Sequence, residues 1–386
     1  MPHDRPVPAP AERPRALVVG GSLAGLLAAT TLGAAGWKAD VFERSPQPLE
    51  SRGGGLVLQP DVLEAFRFAG IPPDPFLGVT SDDRIYLDAH DRVISRSFMP
   101  QTQTSWNKLY GTMRSALPEN SLHAGERLVS FKQSGDGVTA LFASGRIESG
   151  DILVGADGAM STLRTQLQPA SQPRYAGYVA WRGLVPERML GADAAAKLAG
   201  TFAFQQGRDH LLLEYRIPGE DGSVEPGRRR WNWVWFRKVS EGPDLTRLLT
   251  DRLGAAHRFS LPPGEVAAGP MREMRQAAVE HLAPSFSELV LATEEPFIQA
   301  IIDLAVPRMV TGRAILIGDA AFVPRPHTAG GAAKAAADAV TLARALQGGA
   351  RELPERLARW ETDRLAAGAA MCKWGISIGD RIMGLA

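Results

Sequence analysis

Near the start of the chain, Gly20-Gly21-Ser22-Leu23-Ala24-Gly25 has the residue types and spacing needed to hold a phosphate. In a G-x-G-x-x-G turn the first glycine closes the turn, the second admits a pyrophosphate and the third lets the next helix pack closely. Ser22 stands at the second glycine's place, and its side chain is small. Glu43 lies 23 residues after Gly20, near the spacing of about 20 at which an acid meets ribose hydroxyls. The helix that follows would aim its N-terminal N–H groups at the phosphate. The plainer alternative is a glycine turn that binds no nucleotide.

Two further carboxylates sit in similar settings. Asp157 belongs to Gly155-Ala156-Asp157-Gly158-Ala159-Met160-Ser161-Thr162-Leu163-Arg164, just after an apolar run. Ser161 is placed to cap a short helix there. The plainer reading makes Asp157-Gly158 a turn and Arg164 a solvated helix residue. Asp319, in Gly318-Asp319-Ala320-Ala321, also follows an apolar run and precedes Pro324-Arg325-Pro326-His327 and Gly330-Gly331. A carboxylate at a strand's end can accept hydrogen bonds from sugar hydroxyls, and a helix opening at Gly330-Gly331 would turn its positive end toward an anion.

The elements that must position these residues can be read from pattern. Ala16–Val19 is a wholly apolar strand of the buried parallel type, and a helix to about Ala35 and a strand Ala39–Glu43 complete a βαβ unit. Val138–Phe142 and Arg146–Glu148 flank a hairpin turn at Ala143-Ser144-Gly145. Asp151–Gly155 and Ala314–Ile317 repeat the buried-strand style. Tyr175 to about Phe236 is strand-like and aromatic, which predicts a mainly antiparallel sheet. An interrupted helical stretch to about Ser287, a helix from about Gly331 to Leu346 and an amphipathic C-terminal helical part follow. The expected fold is α/β, with a Rossmann-like domain (15–80, 101–170 and 290–347) and a discontinuous second domain on the antiparallel sheet (81–100 and 171–289). A disordered proline-bearing lead-in (1–14) and a C-terminal helical segment (348–386) complete it.

Composition sets outer limits. The 386 residues are 45% hydrophobic and 22% charged, as in an ordinary globular enzyme. A net charge of +1 gives no global field calling for nucleic acid or an anionic membrane. No run of 18 apolar residues suggests a membrane span. The single cysteine, Cys372, excludes an internal disulfide and fits a reducing cytoplasm. No His/Cys cluster has ligand spacing, so no metal is expected.

Three motifs in this order resemble the class A flavoprotein aromatic hydroxylases, with the para-hydroxybenzoate hydroxylase-like fold. Tyr175-Ala176-Gly177-Tyr178-Val179-Ala180-Trp181-Arg182-Gly183, Glu241-Gly242-Pro243-Asp244-Leu245, Arg308-Met309-Val310 and the segment Gly318–His327 are most similar to the 2,6-dihydroxypyridine 3-hydroxylase branch. The Tyr175–Val179 segment is also similar to flavin-dependent urate hydroxylases. The chain departs from the wider pattern around Gly318-Asp319. Phe322 replaces the usual His, Ala329-Gly330 replaces Gly-Gln, and Ala333 replaces Asn, whereas Asp338-Ala339 is retained.

The resemblance implies non-covalent FAD, with NADH or NADPH as electron donor and O2 as co-substrate. It implies that Gly20, Gly21, Ser22, Leu23, Ala24 and Gly25 cradle the pyrophosphate, and that Glu43 and Arg44 address the adenosine. Val57, Arg114 and Leu128 are further FAD positions, with Asp157, Gly318, Asp319, Gly330 and Gly331 completing the set. The reaction implied is hydroxylation of an electron-rich aromatic or N-heteroaromatic ring through a flavin C4a-hydroperoxide. Because such a ring reacts best deprotonated, a nearby His or Arg would favour the anion. His327 with Pro326, His210, Arg182 and Tyr215 are the candidates. A urate-type hydroxylase, another flavin oxidoreductase (halogenase or dehydrogenase) and a flavin-binding module without turnover stay open. Trp231-Asn232-Trp233-Val234-Trp235 approaches a halogenase signature but fails where Trp235 and Phe236 stand, and alternating tryptophans more often pack one sheet face. A homodimer is one expected assembly, without nucleic acid or membrane partners.

Overall fold

The computed structural model describes residues 13–49 and 54–385; most of the expected lead-in lies outside them. Arg15–Val19 forms the centre of a six-stranded sheet because its four apolar residues are covered on both faces. Lys38–Glu43 and then Leu122–Ala124 lie on one side of it, with Ile152–Gly155, Ala314–Leu316 and Val310–Thr311 on the other. All pairings are parallel except that of the last edge strand. The helices Leu23–Ala34 and Gly331–Ala345 pack together against this sheet. The three-stranded sheet built on the Val138–Phe142 hairpin joins the same core, where Phe142 stacks on Phe42.

The second large sheet has ten strands. Its central run is Phe297–Ala305, Arg174–Pro186, Arg230–Lys238, His210–Ile217 and Thr201–Gln206, all antiparallel. Beyond Thr201–Gln206 the sheet continues through Val79–Leu87, which pairs parallel, then Val93–Ser105 and Gly55–Val57. One face is covered by the helices Ala268–His281 and Pro284–Leu291. Trp231, Trp233 and Trp235, at most 1% exposed, point into that layer. They therefore pack a core rather than wall a pocket. The other face carries Tyr178, Tyr215, Val234 and Phe236 and turns toward the parallel sheet.

A helix of 31 residues, Leu353–Met383, spans both cores, with Leu357 and Trp360 in the first and Met383 against the second. No helix among the described residues is long and apolar enough to cross a membrane.

Candidate active site

The glycine turn closes because two of its residues have no side chain. Gly20 has φ +106°, and a Cβ there would lie 2.4 Å from the Ala156 carbonyl oxygen. A Cβ on Gly25 would lie 1.8 Å from the Gly20 oxygen. The Gly21 N–H donates to Glu43 Oε2 at 2.7 Å, and the Ser45 N–H to Glu43 Oε1 at 2.8 Å. Glu43 is thus fixed across the turn before any sugar reaches it. Ser22 begins the helix without using its hydroxyl as a cap.

Asp157 is held by the short helix after it. Its Oδ2 accepts from the Thr162 N–H at 2.6 Å, while its Oδ1 is buried with no partner. Burial raises this carboxyl's pKa against the pull of those hydrogen bonds. Ser161 caps as expected, accepting from the Arg164 N–H at 2.9 Å. Arg164, however, is not solvated. Fully buried, it donates to the Ala159, Ser171 and Ala320 carbonyls and so ties the Asp157 turn to the Asp319 turn.

The Asp319 turn is gripped from the neighbouring helix. The Gly318 N–H donates to Asp338 Oδ2 at 3.0 Å, and Lys334 Nζ donates to the Gly318 oxygen at 2.9 Å. Asp319 itself is exposed. The protein around it raises its carboxyl pKa, opposed by Lys334 and reinforced by Asp338. Water in the cleft limits that rise, and a ligand displacing the water would enlarge it.

These turns converge on one cleft of about 520 Å³ at the carboxyl ends of the parallel strands, where open α/β sheets hold their ligands. Gly20, Ser22, Leu23, Ala24, Glu43, Arg44, Leu128, Asp157, Asp319 and Gly331 border it. Gly21, Gly25, Gly318 and Gly330 shape its turns from behind. Val57 packs toward the antiparallel sheet, and its neighbour Leu56 borders the cleft instead. Arg114 lies on the exposed side of the helix Trp106–Ser115, whose first residue, Trp106, reaches the cleft. Gln299 also borders it; neither Trp106 nor Gln299 was marked by any sequence motif. A larger groove of about 1790 Å³ runs along the opposite strand ends, past Arg15, Lys38 and Asp151. It contains none of the three motifs. The buried, unpartnered Asp157 Oδ1 and the cradle that a Cβ would fill suit a dinucleotide in the smaller cleft.

The other candidates separate by sheet face. Arg182 and Tyr215 lie on the face turned toward the cleft, and Arg182 Nη1 donates to Gln299 Oε1 at 3.0 Å. Burial raises the Tyr215 phenol to about 12, so it stays protonated. His210 points the other way. Its Nδ1 accepts from Trp235 Nε1 at 3.1 Å in the helix-covered layer, and burial lowers its pKa to about 4. The structure therefore does not bring His210 to the cleft. His327 and the exposed Pro326 lie on a single turn, Pro326–Thr328. His327 Nε2 is 2.9 Å from the Tyr178 hydroxyl, and its buried Nδ1 has no partner. Burial, with Arg325 beside it, lowers its pKa to about 4. Like Arg182 and Tyr215, neither His327 nor Pro326 borders the cleft itself.

Comparison with known proteins adds a family. Residues 13–188 match a model described as an FAD binding domain, and residues 175–303 one described as FAD binding domain-like. The chain is 37% identical over 365 residues to the 2,6-dihydroxypyridine 3-monooxygenase of Paenarthrobacter nicotinovorans, covering 92% of this chain and 88% of the relative. It is 26% identical to the 6-hydroxynicotinate 3-monooxygenase of Bordetella bronchiseptica, over 86% of this chain and 82% of that one. Among solved structures, the 2,6-dihydroxypyridine-3-hydroxylase from Arthrobacter nicotinovorans superposes with a TM-score of 0.90 at 34% identity, covering 96% of this chain and 93% of its own.

Proposed function

The chain belongs to the family of FAD-dependent aromatic-ring monooxygenases, and on that premise we propose that its substrate is a hydroxypyridine, with 2,6-dihydroxypyridine foremost. The observation that carries this reading is the extent of the likeness. It runs over 92% of the chain and so includes the antiparallel sheet, where a ring would be chosen, as well as the cofactor cleft. The relative named for 6-hydroxynicotinate also acts on an oxygen-bearing pyridine by its name.

The roles follow from the chain's own groups. The Gly20–Gly25 turn and the helix N-terminus behind it hold the pyrophosphate. Glu43, already fixed by two N–H groups, offers its remaining lone pairs to ribose hydroxyls. Asp157 Oδ1 and Asp319 would accept from the sugar-alcohol hydroxyls of the cofactor, and the Gly331 helix end would favour negative charge on it. Bound FAD supplies hydride acceptance from NADH or NADPH and activation of O2, one oxygen of which goes to the ring carbon and the other to water. Arg182 favours the deprotonated, electron-rich ring. Tyr215, protonated at neutral pH, can donate to a ring oxygen.

The test is NADH and NADPH oxidation by the FAD-loaded protein, with 2,6-dihydroxypyridine, urate or a simple phenol. Oxidation stimulated by the pyridine, with a product carrying one added oxygen, is expected. Stimulation by urate or phenol alone, or a requirement for halide, would overturn the reading.

A further inference from the structure

Arg182, Asn232 and Tyr215 lie on three adjacent strands of the antiparallel sheet and share its cleft-side face. Asn232 pairs with Leu184 on one side and Tyr215 on the other, and Arg182 is two residues from Leu184 along its strand. Residues two apart on a strand share a face.

The Arg182 guanidinium has only neutral acceptors. Nη1 donates to Gln299 Oε1 at 3.0 Å and Nη2 to the Gly55 oxygen at 3.2 Å, and the group sits 5.5 Å over the Phe297 ring. Among the described residues no carboxylate pairs with it, and its buried Nε has no acceptor. Asn232 is 0% exposed. Its Oδ1 accepts from the Gly55 N–H at 2.7 Å, whereas its Nδ2 is buried without an acceptor on the residue that pairs with Tyr215 across the strands. Buried donors in folded proteins almost always have acceptors, and a buried charge needs a counter-charge. Here two N–H donors lack an acceptor and one positive charge lacks a counter-charge, and Arg182 is one hydrogen bond away from Gln299 on the cofactor cleft.

We propose that Arg182 and Asn232 form the subsite that binds a ring oxygen of the deprotonated substrate, and that the Asn232 amide determines which ring is accepted. The ligand it fits is the anion of a hydroxylated azine or phenol. Arg182 supplies the charge, and Asn232 Nδ2 and the Tyr215 hydroxyl supply direction. A neutral ring, or one without oxygen at that position, leaves the donors unsatisfied. The assignment rests on the hydroxypyridine reading above.

Both residues also hold the strand Gly55–Val57, since a Cβ on Gly55 would meet Tyr215 Cε2 at 2.5 Å and Asn232 Cγ at 2.8 Å. The test must separate that clamp from ligand binding. Asn232→Asp keeps an oxygen for the Gly55 N–H, loses the donor and places a carboxylate beside Arg182, which further opposes an anionic ring. The FAD-loaded protein is titrated with 2,6-dihydroxypyridine, urate and phenol, following the flavin absorbance, and FAD affinity is measured in parallel. Asn232→Asp should raise the pyridine Kd about tenfold or more, with FAD affinity within about twofold of the parent. Arg182→Met should weaken ring binding more than Arg182→Lys. An unchanged ring Kd in Asn232→Asp, or equal weakening of ring and FAD, overturns the subsite. A parent that binds urate or phenol but no pyridine sinks the substrate reading, and the same variants then test the subsite on that ring. A parent that binds none sinks both.

Discussion

Asp338 lies one helical turn after Lys334, and its Oδ2 is 2.7 Å from the lysine Nζ, with each side chain 1% exposed. Arg364 Nε donates to the other oxygen of Asp338 at 2.8 Å. One carboxylate therefore neutralises two cations and also accepts the Gly318 N–H. Removing it should be far worse than removing either partner. Asp338→Ala is expected to cost about 3–5 kcal/mol and to release FAD on dialysis, whereas Lys334→Met should cost less. Urea unfolding decides it. Equal stability of Asp338→Ala and the parent would refute the account.

The helix Leu23–Ala34 contains a matched pair of glycines. Gly25 cannot accept a methyl group beside the Gly20 oxygen, whereas a Cβ on Gly33 meets nothing within 4 Å. Gly25→Ala should yield protein without bound flavin. Gly33→Ala should retain the yellow cofactor and gain about 0.5–1 kcal/mol from reduced backbone freedom. Visible absorbance and thermal melting check the two outcomes.

Glu214 is 0% exposed, and neither of its oxygens has a partner. It faces the helix-covered layer beside Trp233. Burial holds its carboxyl well above the ordinary 4.5, so the folded chain keeps a proton that the unfolded chain releases. Its contribution is complete below pH 4.5 and declines as pH rises toward the folded value, by up to about 1.4 kcal/mol per pH unit. Glu214→Gln should match the parent near pH 4.5 and melt higher at pH 8. A constant difference in Tm across that range would contradict it.

His327 titrates in the opposite sense. Its pKa falls from 6.5 to about 4, so the folded chain holds it neutral while the unfolded chain takes a proton. This stability is complete above pH 6.5 and drains away as pH falls toward 4. His327→Gln should flatten the acid side of the stability profile. It should add or remove no ionisation in kcat/KM between pH 6 and 9. Movement of an activity pKa in that range would show that His327 titrates there after all.

Asp157 and Asp319 were legible because each follows a run of buried strand residues and stands beside glycine, and Glu43 because it ends a buried strand at a set distance from the Gly20 turn, local patterns with local causes. Arg164 was not. Its burial depends on the Ala320 carbonyl, 156 residues away, and nothing near it in sequence announces that partner. Trp106 and Gln299 reach the cleft through the pairing of distant strands. The face that His210 takes is not legible, because its strand continues Leu211-Leu212-Leu213, apolar on both sides. Where alternation vanishes, a single residue of parity decides the face. Val93–Ser105 was missed as a strand for a related reason: its first eight residues are exposed at the sheet's margin, and Pro100 interrupts the pattern.

The order of strands in the parallel sheet also sets a timetable. The central strand Arg15–Val19 gains Lys38–Glu43 almost at once, but its other neighbour, Ile152–Gly155, is far along the chain. At about 5–20 residues per second, translation delivers that partner on the order of ten seconds later, and the Asp319 turn after a similar further wait. Until then one edge of a strand with four apolar residues has no mate and is open to wrong pairing. Flavin can be loaded only once nearly the whole polypeptide has been made.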